Sequence, residues 1–269
     1  DKQLYEHPSL MHVFSAGNSN NLSTCQSYGA GSQWGNITGG HKMAKNAIAT
    51  ANLNPDATLV ASSSRGPAYD GRLKPDISAN GNEQASTDPQ HAYITFSGTS
   101  AAAPGIAGCL AQLTHAYKSL YNGEQPDAAI LKVALMNTAN DLGNTGPDFR
   151  FGWGHVNTFR ALRLLEEQRW LEDQVDQGQQ QQHTLAVPAN ARQVKVMVYW
   201  SERPAAINAA KALLNDLDLS ITGPDGTVYQ PWKLNASPNA ITLALPAGRG
   251  VDTLNNVEQV AIDVPPAGN

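Results

Sequence analysis

Ser100 stands near the head of an apolar, small-residue run, FSGTSAAAPGIAG at positions 96–108. A serine in the first turn of a helix faces N–H groups that have no acceptor inside the helix, and it faces the positive end of the helix dipole. An oxyanion forming beside its hydroxyl would be stabilised there, so the chemistry that suits this placement is nucleophilic attack on a carbonyl. Gly98 admits close approach of a substrate backbone, and Ala101, Ala102 and Ala103 are small enough to keep the helix mouth open ahead of Pro104 and Gly105. Alone, Gly-Thr-Ser also reads as a plain small-residue helix start. A second segment, HVFSAGNSN at 12–20, runs from a short apolar strand at Val13 and Phe14 into a loop at Ser15-Ala16-Gly17-Asn18. The Asn18 amide can donate to a developing negative oxygen, supplying the second donor of an oxyanion hole beside the nucleophile's own N–H. Alone, AGN reads as a turn.

The elements that must position these two groups follow from periodicity. Ile106, Leu110, Leu113, Tyr117 and Leu120 fall at steps of four and three, which predicts a long helix after Ser100 with one apolar stripe. A second helix is expected after Pro126 through Ile130, Val133 and Met136, and a third after Asn157, an N-cap residue, carrying Phe159, Leu162 and Leu165. Residues 1–10 read as the end of a helix. Short apolar strands such as 58–61 alternate with these helices, as a mostly parallel α/β sheet requires. Beyond the Gln-rich stretch DQVDQGQQQQH at 173–183, which reads as a linker, the period changes to two. Val194, Val196 and Val198, then Leu217, Leu219 and Ile221, then Ile241, Leu243 and Leu245 alternate with other residues, and turn signals at 223–226 and 246–248 separate the runs. That pattern predicts an antiparallel β-sandwich over 184–269.

Five ordered motifs together resemble the subtilisin-like serine proteases over most of the first 165 residues: SAGN at 15–18, MAKNAIATAN at 43–52, SSSRGPAYDGRLKPDISANG at 62–81, GTSAAAPGIAG at 98–108 and FGWGHVNTFRAL at 151–162. The strings VKVMVYW, LLNDLDLSITGPDGTVY and NNVEQVAIDVPPAG are similar to the jelly-roll domain that follows the protease in one branch of that family. The resemblance implies a serine endopeptidase acting through an acyl-enzyme on Ser100, with Asn18 in the oxyanion hole. It also implies that Ser15, Ala16, Gly17 and Thr99 contact substrate, and that no cofactor is needed for the chemistry. Ala101, Ala103 and Gly105 stand where the family usually has Met, Ser or Thr, and His, and Asn80 stands where it usually has proline; nucleophile and turn residues are intact.

In subtilisins the triad runs in the order Asp, His, Ser, so both partners of Ser100 should lie ahead of Asn18. Only His7 and His12 do, and neither has the His-Gly-Thr context of the family's base. His41, His91, His115, His155 and His183 read as solvated or structural. The expectation is therefore residues 1–172 as the C-terminal part of a catalytic domain, 173–183 as linker and 184–269 as a jelly-roll-like sandwich cut short. The missing N-terminal part of the same protein would supply Asp and His, and this chain alone would be inactive. The rival reading is a non-catalytic module that binds polypeptide or glycan on a degenerate scaffold. The absence of a Gly-x-Ser-x-Gly elbow argues against an esterase.

Composition narrows the partners. A net charge of −5 without Lys/Arg clusters gives no nucleic-acid footprint, and no apolar run approaches the length of a membrane span. A polypeptide substrate and a secreted, periplasmic or cell-surface location are what the resemblance implies. Asp216, Asp218, Asn256 and Glu258 offer oxygen ligands of the kind calcium takes, although solvated carboxylates along a strand account for the same residues. Cys109 reads as a small core residue and Cys25 as a loop residue outside any metal spacing.

Overall fold

The computed structural model describes residues 1–22 and 28–268; Cys25 lies outside them. Helix α1 (Lys2–Glu6) leads to β1 (Val13–Ser15), which joins β2 (Ile48–Leu53) and β3 (Ile77–Asn80) in a parallel sheet of order β1-β2-β3. All six residues of β2 are buried, so IATANL shows no alternation. An exposed hairpin, β4 (Gln84–Thr87) with β5 (Tyr93–Phe96), separates β3 from α2 (Thr99–Leu120). Helix α2 lies across all three parallel strands. Its stripe of Ile106, Leu110, Leu113 and Tyr117 is buried as expected, but Leu120 is 43% exposed, so the stripe ends one turn early.

The next two helices also match the sequence pattern. In α3 (Ala128–Thr138), Asp127 caps the first turn by accepting from the Ala129 N–H at 2.8 Å. In α4 (Thr158–Glu166), Asn157 accepts from the Arg160 N–H at 3.0 Å. Leu165 is buried, whereas Phe159 points to solvent. The strand expected at 58–61 is absent. A turn at 54–57 folds the chain straight back on β2, leaving one bridge, Leu59 to Leu53, and a bond from the Val60 N–H to the Asn52 carbonyl.

The C-terminal segment departs further from expectation. Strand β6 (Gln193–Tyr199) pairs antiparallel along its length with β11 (Val257–Asp263), with Val196 opposite Val260. The strands between are two residues each: β7 (Ile221–Thr222) with β8 (Val228–Tyr229), and β9 (Trp232–Lys233) with β10 (Gly248–Arg249). Residues 240–244, read above as a strand, form the short helix α5 (Ala240–Ala244). The Asn239 side chain accepts from the N–H groups of Ile241 and Thr242 and so starts a helix. Of the three alternating apolar residues only Leu243 is buried, so the run has no sheet face to fill. Residues 173–183 contain neither helix nor strand.

Two apolar clusters stabilise the molecule. One lies between the sheet, α2, α3 and α4, with Cys109 half-buried at its margin. The other joins both ends of the sequence: Trp34, Leu73, Met136, Phe149 and Trp153 pack with Leu243 and, at the margin, with Met197, Tyr199, Trp232 and Val257. Beneath β2 lie three lysines, each about 1% exposed. Lys45 Nζ pairs with Glu202 Oε2 at 2.7 Å and also donates to the carbonyls of Arg203 and Ala212. Lys74 Nζ pairs with Asp76 Oδ2 at 2.6 Å and donates to the Ala47 carbonyl. Lys132 Nζ donates to the carbonyls of Lys45 and Ala47 and sits 4.5 Å from the centre of the Tyr199 ring.

Burial pulls the Lys132 ammonium from 10.5 down to about 7, against the opposing pull of Asp76. A lysine whose native pKa is depressed folds at a cost that is complete below that value and lifts as pH rises toward its unfolded value. Relative to Lys132→Met, the wild-type chain should therefore gain stability between pH 7 and about pH 10. Denaturant melts of both proteins at pH 6.5 and 9.5 measure this, and an identical difference at the two pH values would overturn it.

Candidate active site

The end of β1 and the start of α2 are joined by one hydroxyl. Thr99 is fully buried, and its Oγ1 accepts from the Gly17 N–H at 3.1 Å while donating to Asn18 Oδ1 at 3.1 Å. The Thr99 N–H also donates to Asn18 Oδ1, at 3.0 Å. With Oδ1 held twice, the orientation of the Asn18 amide is fixed, and its Nδ2 faces away from Thr99. Asn18 is exposed, and among the described residues Nδ2 has no acceptor.

Ser100 is exposed as the second residue of α2, and its N–H likewise donates to no described atom. The N–H groups of Ala101 and Ala102 turn back to the Gly98 carbonyl, at 2.9 and 3.2 Å. Gly98 has φ +139°, a value that suits glycine, and a Cβ there would lie 3.1 Å from Asn18 Nδ2. Two N–H donors, one from the main chain and one from an amide side chain, thus stand unpaired at one helix N-terminus beside an exposed hydroxyl. Such an arrangement can hold a negative oxygen on a carbon bonded to Ser100 Oγ.

The sheet fixes this helix start from below. The Gly98 N–H donates to the Gly81 carbonyl at 3.0 Å, and a Cβ on Gly81 would lie 2.4 Å from Ala102 N and 2.6 Å from the Gly98 carbonyl oxygen. The chain after β3 can therefore pass under the helix only as glycine. Ala101, Ala102 and Ala103 are buried against the strands, so their small size serves packing rather than an open mouth; the residues left at the surface are Pro104 and Gly105.

Ser15 pairs with Thr50, the Ala16 N–H donates to the Thr50 carbonyl, and the Ala16 side chain is wholly buried. Gly17, with φ +120°, accepts from the Ser64 N–H at 2.8 Å, and Ser64 Oγ accepts from the Ser19 N–H at 3.0 Å. What residues 16 and 17 present outward is therefore main chain. Ser64 and Gly81 were not singled out in the sequence, although both lie inside the SSSRGP…SANG stretch that carried the resemblance. Lys42 was missed altogether, and its Nζ donates to the Ala16 carbonyl at 3.3 Å.

No described histidine hydrogen-bonds to Ser100. His12 and His41 pack against Phe14, at ring-centroid distances of 5.8 and 5.7 Å. His155 takes part in the sheet edge through its main chain, and burial lowers its pKa. His183 pairs with Asp173 at 3.1 Å in the exposed 173–183 stretch, a carboxylate contact the sequence reading did not expect.

Of the residues read as calcium ligands, Asp216 pairs with Lys211 at 3.3 Å and Asn256 Nδ2 donates to the Trp200 carbonyl. Glu258 is buried, its Oε2 accepting from the Leu219 N–H, and burial together with nearby Asp252 and Asp218 raises its pKa to about 7. Among the described residues no three His, Cys, Asp or Glu side chains gather as a metal cluster. No helix of the described residues is long and apolar enough to cross a membrane.

A parallel sheet under a helix that opens with an exposed serine, faced by an oriented asparagine amide, is an arrangement that can support nucleophilic attack on a carbonyl. The model of the subtilase family, peptidase family S8, matches residues 3–154, more than half of the chain, and the chain belongs to that family. It is similar to the subtilisin-like protease SBT4.6 of Arabidopsis thaliana, with 34% identity over 125 residues, 41% of this chain and 17% of that protein. It is also similar to the minor extracellular protease Vpr of Bacillus subtilis (strain 168), with 38% identity over 108 residues, 38% of this chain and 13% of that protein. The matched stretches thus span less than a fifth of either relative's length. Among solved structures, the prenylagaramide maturation protease PagA shares 23% identity, covering 61% of this chain and 53% of that one with a TM-score of 0.47.

The Thr99 hydroxyl both accepts and donates inside the site, so Thr99→Val should leave the Gly17 N–H without a partner and remove one of the two bonds that hold the Asn18 amide, the Thr99 N–H keeping the other. The expected loss is about 1–3 kcal/mol in stability, with slower reaction at Ser100, and Thr99→Ser should retain both. Urea melts and serine-labelling rates on the three proteins check this; a Val variant as stable and as reactive as wild type would contradict it.

Proposed function

We propose that these residues carry the nucleophile and the oxyanion hole of a subtilisin-type serine endopeptidase. The observation that carries the reading is the pair of unpaired donors, Ser100 N–H and Asn18 Nδ2, at the helix start that bears the exposed Ser100 hydroxyl. Ser100 Oγ attacks the scissile carbonyl and its proton passes to an imidazole; the carbonyl oxygen becomes an oxyanion held by the two donors. The C–N bond then breaks, the imidazolium protonates the leaving amine, and water hydrolyses the acyl-enzyme by the reverse proton path.

The imidazole and the aspartate that orients it would come from a segment of the same polypeptide outside these 269 residues, consistent with the order Asp, His, Ser of the family. The main chain of Ser15, Ala16 and Gly17 would border the bound substrate, whereas Thr99, fully buried, would hold Gly17 and Asn18 from beneath rather than touch it. The region from 184 onward would act as an appended β domain joined through 173–183. Export from the cytoplasm is the matching location, supported by the extracellular protease among the relatives. The rival, a scaffold that binds polypeptide or glycan without cleaving it, requires Ser100 to be inert.

In the full-length protein a fluorophosphonate should label Ser100, and Ser100→Ala should abolish labelling and peptide hydrolysis together. Asn18→Ala should lower kcat by about 100- to 1,000-fold with KM nearly unchanged, a magnitude taken from the equivalent donor in subtilisin itself, a member of this family. Absence of labelling would favour the rival. A collapse in KM with kcat retained would make Asn18 a binding residue instead.

A further inference from the structure

We propose that Lys42 makes the pocket for the residue preceding the scissile bond selective for acidic side chains, an inference that rests on the peptidase reading above. When that residue's carbonyl oxygen lies between Ser100 N–H and Asn18 Nδ2, its Cα is about 2.4 Å from that oxygen, and on the peptidase reading its side chain would leave along the segment that precedes Asn18. That segment is Ser15-Ala16-Gly17. Ala16 turns its methyl into the sheet and Gly17 has no side chain, so the wall itself is main chain and offers little discrimination by charge.

The ammonium of Lys42 stands at this wall. Its Nζ is 3.3 Å from the Ala16 carbonyl oxygen and 3.3 Å from the point a Cβ on Gly17 would occupy. The lysine stem passes over Gly39, where a Cβ would lie 3.8 Å from Lys42 Cε, and the side chain is half-buried. The other described residues that hydrogen-bond to 15–19 are Leu22, Thr50, Ser64 and Thr99, all uncharged, so Lys42 brings an ammonium to an otherwise uncharged set of contacts. A cation partly withdrawn from water attracts a carboxylate more strongly than an exposed one does and repels another cation to the same degree. An aspartate or glutamate at this position of the substrate gains that attraction, and a lysine or arginine meets repulsion. An apolar residue gains nothing from the charge.

The test uses the full-length protein and three peptidyl diphenyl phosphonates that differ only in the side chain next to phosphorus: glutamate, phenylalanine or lysine. The rate of Ser100 phosphonylation is the readout. The glutamate reagent should react at least about tenfold faster than either other, and this preference should shrink as salt is raised. Lys42→Glu should invert the order of the glutamate and lysine reagents, Lys42→Met should bring the glutamate-to-phenylalanine ratio near one, and Lys42→Arg should keep the wild-type order. A flat or apolar preference in the wild-type protein, or a ratio unchanged in Lys42→Met and Lys42→Glu, would overturn the assignment. A simple fluorophosphonate, which carries no peptide side chain, separates the two levels. If it labels Ser100 while the three reagents show no acidic preference, Lys42 is not the selector and the peptidase reading stands; if it fails to label, the peptidase reading falls and the inference with it.

Discussion

The entrance to β2 depends on charges that have no access to water. Residues 45–49 pass between three buried ammonium groups: Lys132 holds the carbonyls of Lys45 and Ala47, Lys74 holds Ala47, and the Lys45 side chain reaches out to Glu202. Asp76 closes the loop by accepting from the Ala49 N–H at 2.7 Å while it neutralises Lys74. Removing one ion from such a network strands its partner in a medium that solvates it poorly, a loss that typically reaches about 3–5 kcal/mol. The network sets where β2 enters the sheet, and β2 sits between the strands that lead to Asn18 and to Gly81.

The same charges tie the two ends of the sequence together. Glu202 follows β6, and its carboxylate accepts from Leu214 and Asn215 N–H groups as well as from Lys45. Tyr199, at the end of β6, covers Lys132. The C-terminal segment is thus joined to the sheet through polar bonds and through the second apolar cluster, so the strain of folding one region is felt in the other. From the sheet the constraint passes to the site by one main-chain bond, Gly98 N–H to the Gly81 carbonyl, and by the Thr99 hydroxyl on the Gly17 N–H.

Local pattern made the helices legible. The 3.6-residue stripe after Ser100, Asn157 as an N-cap and the apolar strand at Val13 all stand in the structure where the sequence places them. The placement of Ser100 at a helix start and of Asn18 just after a strand was readable in the same way, from residue type and local pattern. Period two was less reliable. Ile241, Leu243 and Leu245 alternate, but the Asn239 cap decides in favour of helix, and alternation over five residues does not distinguish a strand from one helical turn with a single buried residue. The β4–β5 hairpin escaped notice because β5 is exposed along its whole length and β4 alternates only between half-buried and exposed over the polar and small residues QAST, which give no apolar alternation to read. Lys42 and the buried lysines were invisible for a different reason: a lysine in sequence reads as surface, and only three-dimensional packing shows which ones carbonyls and carboxylates have enclosed.

The close passage of Gly81 beneath α2 also bears on how this chain can drift over generations. The atoms that a Cβ would strike are main-chain atoms of Ala102 and Gly98, so no compensating change of a neighbouring side chain makes room. Relief would require lifting the helix start away from Asn18, so a codon change that alters residue 81 disturbs this arrangement. Further along the same helix, Gly105 and Gly108 face open space, where an added Cβ meets nothing. The glycine that passes beneath the helix is thus locked while two within it are free to vary, and a mutational scan would read where the packing under the helix start ends from tolerance alone.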